Sequence, residues 1–342
     1  MSKNKFKELL ASINNDPQHR DSNILVVDGL NTFLRNFTAI NRMNVHGHHT
    51  GGLTGTLQSI GYGIKQTQPT RVIIVFDGVG GSNAKRNLYP PYKMNRDVTK
   101  ITNSKIFKVK SEEIESIENQ MGRLLSYISC LPVTTICIDG IEADDVIGHL
   151  ADRYEADPNC KKFTIMSADR DFLQLLSEKI FVYSPTKKIV YDIKKFIDEF
   201  QVYPHNYLLY KTLMGDKGDN VPKVKGFGED KLFKMFPYLQ GEDEYTLDEL
   251  LGYIDPEDPW GYKLLNFEPQ LRINYQIMGL KNMTMSHGNI RLIDERMDNA
   301  KRDCDSYNFL KMYYQDALGE GIRNVENWLT EVFGYLSNFK TD

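Results

Sequence analysis

The 342-residue sequence predicts an α/β fold, with a central, mostly parallel twisted sheet flanked by helices. The first observation is a series of short, β-branched apolar runs at 24–27, 72–76, 133–138 and 163–166, with a weaker run at 180–183. The second is that a helix-like stretch follows each of the four strong runs, at 52–67, 111–129, 142–154 and 170–177. Continuous apolar runs of this length, separated by helices, are typical of buried parallel strands in βα units.

After Asp192 this alternation of strands and helices stops. Helices are predicted at 206–214 and 229–236, on either side of the polar loop GDKGDN and the sequence PKVKGFG. The chain beyond residue 240 is acidic at first and then mostly helical. We therefore predict three regions, an α/β domain at 1–202, a helical module at 203–240 and a helical C-terminal region at 241–342.

The composition is that of an ordinary globular protein, with 41% hydrophobic and 26% charged residues. No apolar run reaches the roughly 20 residues that a membrane-spanning helix needs. Residues 1–21 lack the apolar core of a signal peptide. The four cysteines have neither the spacing of a zinc site nor the density of a disulfide framework. These features predict a cytoplasmic protein with reduced cysteines and no membrane partner.

The net charge of −4 conceals a strongly basic segment at 79–110. This segment contains eight basic residues and one acidic residue, Asp97. It follows neither the helical nor the strand period and contains two prolines, so we predict a long excursion from the sheet. A solvated surface and a phosphate-binding segment have the same composition, so charge alone leaves both interpretations open.

Acidic residues follow the predicted strands where each strand ends, directly or a few residues later. Because the carboxyl ends of parallel strands meet at one edge of an open sheet, these side chains are expected to converge there. A single aspartate after a strand is usually a turn residue or an N-cap, but acids after four strands together favour a binding site. The acids at these positions are Asp28, Asp77, Glu142, Asp144, Asp145, Asp169 and Asp171.

Crowded carboxylates repel one another and raise each other's pKa values unless a cation neutralises them. No cysteine or histidine occupies a matching position, so the donors are all oxygen, which suits Mg²⁺ or Mn²⁺ rather than Zn²⁺. Two such ions about 4 Å apart are the usual device for in-line hydrolysis of a phosphodiester. The sequence therefore predicts a site for divalent metal at this edge of the sheet.

With these residues in place, the sequence resembles the 5′-nuclease superfamily. This superfamily includes flap endonucleases, the 5′-nuclease domains of bacterial DNA polymerase I and phage-encoded RNase H enzymes of the T-even type. Among these members, the sequence most resembles the phage-encoded RNase H enzymes. The motifs occur in the family's order. They are VVDGLNTFLR (26–35), VFDG (75–78), YPPYKMNR (89–96), IEADDVIG (141–148), SADRDFLQL (167–175) and LMGDKGDNVPKVKGFG (213–228).

The resemblance implies two Mg²⁺ ions, which Mn²⁺ can replace, and assigns ligands to each of them. The residues implied for the first metal are Asp28, Asp77, Glu142 and Asp144. Those implied to hold or approach the second are Asp169, Asp171 and Asp219. Two further acids match the family's motifs. The resemblance implies that each either contacts a metal directly, acts through a water molecule or orients another ligand. These are Asp145 and Asp216.

The basic segment, at about 79–112, matches the family's helical arch or gateway, under which a single strand passes. Lys93 and Arg96 match the gateway residues that stabilise the scissile phosphate, so they join the metal-binding acids as catalytic candidates. Arg86 is a further candidate for contact with DNA. Arg35 is either another phosphate ligand or part of a surface salt bridge, and Tyr92 either stacks on a base or is an ordinary half-buried tyrosine.

Residues 203–240 resemble the family's helix–three-turn–helix module, which grips the backbone of duplex DNA. Gly226 and Gly228 allow a close approach of the backbone, and the resemblance implies that Lys223, Lys225 and Lys231 meet phosphates. Family members often bind K⁺ here through backbone carbonyls, and this sequence is compatible with a K⁺ ion.

The resemblance implies a structure-specific 5′-nuclease with exonuclease, flap endonuclease and RNase H activity, acting in primer removal, replication or repair. The implied partners are DNA with a 5′ end, flap or nick, RNA–DNA hybrid, and also a single-strand DNA-binding protein and a sliding clamp. We expect a monomer, located in the host cytoplasm if the gene belongs to a phage.

Three alternatives make different predictions about the sequence. A catalytically inert DNA-binding member would show gaps among the acids, and none is present. A PIN-type ribonuclease would be shorter and would lack both the basic segment and the GDKGDN loop. A phosphatase with an aspartyl nucleophile requires a D-x-D sequence after the first strand, where this chain has Asp28, Gly29 and Leu30.

Overall fold

The computed structural model describes residues 21–96, 99–281, 285–299 and 303–339. Its centre is a six-stranded sheet in the order β3-β2-β1-β4-β5-β6. The first five strands of the chain pair in parallel and β6 is antiparallel to β5. The predicted α/β class with a mostly parallel sheet is confirmed. The strands are β1 (Asn23–Asp28), β2 (Arg71–Asp77), β3 (Thr134–Ile138), β4 (Lys162–Met166), β5 (Ile180–Ser184) and β6 (Ile189–Tyr191).

Helices flank the sheet on both faces. Three of the four predicted helices in the α/β region are confirmed, whereas the α-helix predicted at 170–177 is wrong. The structure has a 3₁₀-helix at Asp171–Leu175 instead. The helices up to residue 200 are α1 (Gly29–Ala39), α2 (Gly51–Thr67), α3 (Asn83–Leu88), α4 (Lys110–Ile128), α5 (Ala143–Ala156) and α6 (Ile193–Phe200).

Successive side chains of a strand point to opposite faces, and each face of this sheet has its own hydrophobic core. Leu25 and Val27 of β1 lie in a core with α1, α2, α4 and residues 309–336. Ile24 and Val26 lie in the other core, together with α5 and residues 172–176. Burial on both faces explains why the strands read as continuous apolar runs rather than as alternating patterns.

The register of the parallel strands aligns their carboxyl ends. Asp28 at the end of β1 pairs with Val75 of β2, and Asp77 at the end of β2 pairs with Ile138 of β3. On the other side of β1, Val27 pairs with Met166, the last residue of β4. The acids that follow these strands therefore emerge at one edge of the sheet.

The basic segment leaves the sheet after β2 and returns at α4. In its described parts, 79–96 and 99–109, the only helix is the six-residue α3, and turns form most of the remainder. The predicted helical arch is therefore mostly non-helical in the described residues. Asp97 lies outside them.

A third hydrophobic core lies beyond the sheet and joins the predicted module to the C-terminal region. Leu213, Phe227 and Leu232 come from the module, and Leu250 and Leu264 from the helices that follow. Residues on both sides of position 240 therefore pack into one unit. The helices beyond residue 200 are α7 (Tyr207–Met214), α8 (Glu229–Met235), α9 (Leu247–Gly252), α10 (Pro259–Asn266), α11 (Glu268–Met278), α12 (His287–Asp298), α13 (Ser306–Gln315) and α14 (Val325–Phe333).

The last helices of the chain return to the sheet. Phe309 of α13 and Leu329 of α14 belong to the same core as Leu25, and α12 packs against β3. Across the described ranges, no helix has the length and apolar character that crossing a membrane requires.

Candidate active site

Asp28 and Asp77 are fixed at the edge of the sheet by hydrogen bonds from neighbouring elements. Asp28 caps α1 by accepting from the Asn31 amide at 3.1 Å, and its other oxygen accepts from Ser167 Oγ at 2.9 Å. Asp77 accepts from the Ala143 amide, at the start of α5, at 2.9 Å. Both carboxylates are therefore held in place where their strands end.

The residue after Asp77 must be glycine. A Cβ at Gly78 would stand 1.8 Å from the carbonyl oxygen of Ile138, the last residue of β3. This contact leaves no room for any side chain, so the VFDG motif brings the ends of β2 and β3 together behind Asp77.

Glu142 is the most enclosed acid of the site, at 2% exposed. It forms ion pairs with Lys85 at 2.8 Å and with Lys93 at 2.6 Å, and it accepts a hydrogen bond from Ser82 Oγ at 2.6 Å. Burial opposes its ionisation, but the two lysines outweigh burial and lower the pKa of Glu142 to about 2. Glu142 is therefore charged at neutral pH.

Lys85 joins Glu142 to Asp145 within the protein. Its ammonium group lies 2.8 Å from Asp145 as well as from Glu142, and the lysine is 8% exposed. Burial disfavours the charged lysine, but the two acids outweigh it and raise the pKa of Lys85. Burial also raises the pKa of Asp145, against the effect of this ion pair.

Asp144 and Asp169 lie close enough for their charges to interact. Desolvation, followed by the charge of Asp169, raises the pKa of Asp144 well above its ordinary value. Burial raises the pKa of Asp28 to about 7, with smaller contributions from Asp169 and Asp77. Burial and neighbouring acids therefore both disfavour the charged forms of Asp28 and Asp144.

Asp171 and Asp216 are bridged by Lys211 of α7. The lysine forms an ion pair with Asp171 and a second with Asp216 at 2.9 Å. Burial raises the pKa of Asp171 to about 6 despite the lysine. Asp216 also accepts from the Gly218 amide at 2.7 Å, and these partners outweigh burial and lower its pKa. This bridge fixes the GDKGDN loop against the sheet edge.

The same loop is joined to the basic segment by several hydrogen bonds. Arg96 forms an ion pair with Asp219 at 2.6 Å, and the Lys93 amide donates to the Asp219 carbonyl oxygen at 2.9 Å. Asn220 Nδ2 donates to the Pro91 carbonyl oxygen at 2.8 Å. The sequence predicted these two segments to serve one site, and the structure places them in direct contact.

Tyr92 lies beneath this contact rather than on the surface. It is 3% exposed, and its hydroxyl lies 3.3 Å from Glu142 and 3.4 Å from Asp219. The ring is covered in this structure, as in the alternative of a packed tyrosine, and stacking on a base stays a prediction. Tyr92 links an acid of the sheet edge to an acid of the GDKGDN loop.

The other residues predicted to contact DNA differ in exposure. Arg35 is half-buried and its Nη2 donates to Ser59 Oγ of α2 at 3.3 Å, and no salt bridge of Arg35 occurs among the described residues. Arg86 on α3 is exposed. In the module, Lys223, Lys225 and Gly226 are exposed, whereas Gly228 and Lys231 are partly exposed.

Two cations of the site were not predicted from the sequence as site residues. Lys85 was counted only as one charge of the basic segment, and Lys211 lies in a predicted helix with no feature that marks it. Each becomes an ion-pair partner because a distant part of the chain folds onto the acidic edge.

The acids that the sequence predicted to converge are distributed around this edge. Among the described residues, no three histidine, cysteine or acidic side chains are close enough to form a ready metal-binding cluster. The donor set is nevertheless all carboxylate, and burial raises the pKa values of Asp28, Asp144 and Asp171, so a bound cation would stabilise their charged forms. Such a donor set suits a hard divalent cation.

Two solved structures share the fold of this chain. The flap endonuclease of bacteriophage T5, in a pseudo-enzyme–product complex with DNA and metal ions, superposes with a TM-score of 0.61 and 18% identity over 87% of this chain and 100% of the other. The catalytic core of Rad2 in complex with DNA substrate gives a TM-score of 0.51 and 14% identity over 92% and 93% of the two chains.

Sequence relatives agree with this fold. The 5′-3′ exonuclease of Bacillus subtilis is 33% identical over 242 residues, which cover 68% of this chain and 73% of the relative. The 5′-3′ exonuclease of Buchnera aphidicola subsp. Schizaphis graminum is 28% identical over 270 residues, or 78% and 88% of the two chains. Residues 23–201 match the family of the 5′-3′ exonuclease N-terminal resolvase-like domain. The chain therefore belongs to the 5′-3′ exonuclease family, within the 5′-nuclease superfamily.

Proposed function

We propose that this protein is a structure-specific 5′-nuclease that hydrolyses phosphodiesters by a two-metal-ion mechanism. The observation that carries the proposal is the edge of the sheet where β1, β2, α5 and the turn after β4 bring acids together beside the GDKGDN loop. Membership of the 5′-3′ exonuclease family supports the same activity.

The proposed metals are Mg²⁺, with Mn²⁺ as a substitute. A bound ion lowers the pKa of a water nucleophile and offsets charge on the phosphate. Solved relatives with metal ions, including the T5 flap endonuclease, support this proposal. We propose Asp28, Asp77, Glu142 and Asp144 as ligands of the first ion, and Asp169, Asp171 and Asp219 as ligands of the second. Asp145 and Asp216 would act by fixing Lys85 and Lys211.

We propose that Lys93 and Arg96 each leave a carboxylate partner and bind a phosphate when the substrate binds. Lys93 Nζ lies 2.6 Å from Glu142, and Arg96 lies 2.6 Å from Asp219. When another cation neutralises these acids, each side chain is free to turn to a phosphate oxygen of the scissile strand. Lys85 stays on Glu142 and Asp145, because it is buried and has two acidic partners.

The substrates follow from the family and from the chemistry of the edge. We propose DNA with a 5′ end, a 5′ flap or a nick, and RNA–DNA hybrid as in primer removal. The T5 and Rad2 structures were solved with DNA, which supports the DNA part of this proposal. A K⁺ ion bound by backbone carbonyls of the module is a further proposal, and it rests on the family resemblance.

One assay tests the proposed function directly. We expect 5′-labelled flap, nicked duplex and RNA–DNA hybrid to be cleaved in the presence of Mg²⁺, and all cleavage to stop in excess chelator. The metal is needed because a bound divalent ion activates the attacking water and offsets charge on the phosphate. Equal cleavage of a 3′-flap duplex, or cleavage that survives the chelator, would contradict the proposal. Cleavage confined to single-stranded RNA would instead favour the PIN-type alternative.

The proposed binding of duplex DNA by the module is tested at two of its lysines. Lys223 and Lys225 are exposed, so replacing both with alanine should weaken binding to duplex of any sequence. The slope of log affinity against log salt should become shallower by about 0.9 for each lost phosphate contact, because fewer counterions are released. Binding is measured by fluorescence anisotropy in excess chelator, so that no cleavage occurs.

The matched control for this variant is the double change Lys194→Ala and Lys195→Ala. These two lysines are also adjacent and exposed, but they lie on α6, outside the module. The control removes the same charge, so we expect its salt slope to equal that of the wild type. Equal slopes for the module variant and the control would show that Lys223 and Lys225 do not contact phosphate.

A further inference from the structure

The C-terminal region places an indole ring against the glycine turn of the module. A Cβ at Gly226 would stand 3.4 Å from Cη2 of Trp260, the second residue of α10. The Trp260 ring also lies 6.1 Å from the buried ring of Phe227, measured between centroids. Gly226 has a φ of +81°, which favours glycine, so the turn is fixed at the point where Trp260 meets it.

The backbone of α10 is fixed independently of this contact. Asp258 caps the helix by accepting from the amides of Trp260 and Gly261, at 2.8 and 3.0 Å. Leu264, one turn further on, is fully buried in the core that the module and the C-terminal region share. Trp260 therefore belongs to a rigid surface and not to a loose loop.

Two lysines from different regions of the chain lie over this ring. Lys231 Nζ of the module is 3.7 Å from the Trp260 centroid, and Lys263 Nζ of α10 is 4.3 Å from it. Lys231 also donates to the Gly226 carbonyl oxygen at 2.8 Å. A cation over the face of a tryptophan ring is attracted by the negative charge of that face. The ring thus holds two positive charges beside the turn.

No acid neutralises these charges directly. In the ranges that the structure describes, neither Lys231 nor Lys263 forms an ion pair with a carboxylate. Asp258, which caps α10, is engaged with backbone amides, whereas Glu229 and Asp230, which precede Lys231 on α8, are exposed. Lys223 and Lys225, which flank the same turn, are exposed. Lysines therefore lie near Gly226 on both sides of the boundary between the module and the C-terminal region.

We propose that Trp260 and Lys263 extend the duplex-binding surface of the module into the C-terminal region, with Lys263 contacting a backbone phosphate of the same duplex. The inference rests on the proposed function. The partner is the phosphate backbone because several cations surround a glycine turn that lets a backbone approach closely. The indole holds the Lys231 and Lys263 ammonium groups close to the turn, so less side-chain entropy is lost when phosphate binds.

The proposal is tested by the salt dependence of binding to a nicked duplex in excess chelator. Replacing Lys263 with alanine should weaken binding and make the salt slope shallower by about 0.9, the value for one phosphate contact. Lys263→Arg keeps the charge and should restore the slope. Lys311→Ala is the matched control, because Lys311 is exposed in the same C-terminal region but lies on α13, which packs into a different core.

The outcomes separate this inference from the proposed function. If the wild type binds duplex with a salt-dependent affinity but Lys263→Ala has the same slope, the inference is overturned and the nuclease proposal stands. If the wild type neither binds nor cleaves duplex, the proposed function itself fails. A thermal unfolding midpoint for Lys263→Ala that equals the wild-type midpoint shows that a change of slope reports lost contact and not lost structure.

Discussion

Replacing Asp77 or Asp169 with asparagine should reduce cleavage of a 5′-flap substrate by more than about 10³-fold, beyond the effect of losing one electrostatic donor. Each change removes a negative charge and a proposed metal ligand from the acidic edge, while asparagine keeps nearly the same shape. Because the edge then repels phosphate less, binding of the substrate should stay equal or become tighter. Single-turnover cleavage and anisotropy binding measure the two effects separately.

Asp139→Asn is the control for these variants. Asp139 also follows a strand, is exposed, and accepts a hydrogen bond from the Val79 amide at 3.1 Å, a bond that asparagine can keep. It is not among the proposed metal ligands, so its variant should cleave within a few-fold of the wild type. Wild-type turnover by Asp77→Asn or Asp169→Asn would show that the metal site lies elsewhere.

Replacing Lys93 with alanine should lower the single-turnover rate of cleavage by roughly 10²–10³-fold, the loss expected for one preorganised electrostatic donor. Its ammonium group is held at the acidic edge by Glu142 and lies 4.8 Å from the centroid of Tyr92. A residue that only attracts DNA would change KM and leave the chemical step nearly unchanged. The position of Lys93 favours the chemical role.

Lys105→Ala is the control for Lys93→Ala, because it removes one positive charge from the same basic segment at a position away from the acidic edge. Lys105 is exposed and has no ion pair among the described residues, so its variant loses the same charge without disturbing the site. Its single-turnover rate should lie within twofold of the wild type. If Lys93→Ala behaves in the same way as Lys105→Ala, Lys93 is an electrostatic guide and not a catalytic residue.

The sheet could be predicted from the sequence because its strands are buried on both faces. Runs such as 72–76 are continuously apolar, and each of the five predicted runs corresponds to a strand. β6 was missed because it has only three residues, of which Val190 is 37% exposed. The 3₁₀-helix at Asp171–Leu175 was read as an α-helix because a short apolar stretch does not distinguish the two.

The positions of the acids could also be predicted, because they follow from the topology of a parallel sheet. The lysines that form ion pairs with these acids could not be predicted. Lys85 reaches Asp145 across 60 positions of sequence, and Lys211 reaches Asp171 across 40. Such pairings depend on how a loop or helix folds back over the sheet edge, and no local pattern records this. The burial of Tyr92 was missed for the same reason, since its neighbours in space come from three separate segments.

We propose that the acidic edge binds two divalent ions. Titrating the protein with Mn²⁺ in the presence of cleaved flap product, and counting bound ions by electron paramagnetic resonance, tests this claim without relying on turnover. We predict two bound ions for each wild-type chain and fewer for Asp169→Asn, with the Asp139→Asn control matching the wild type. No bound Mn²⁺ in the wild type, or the same number in wild type and Asp169→Asn, would contradict the account.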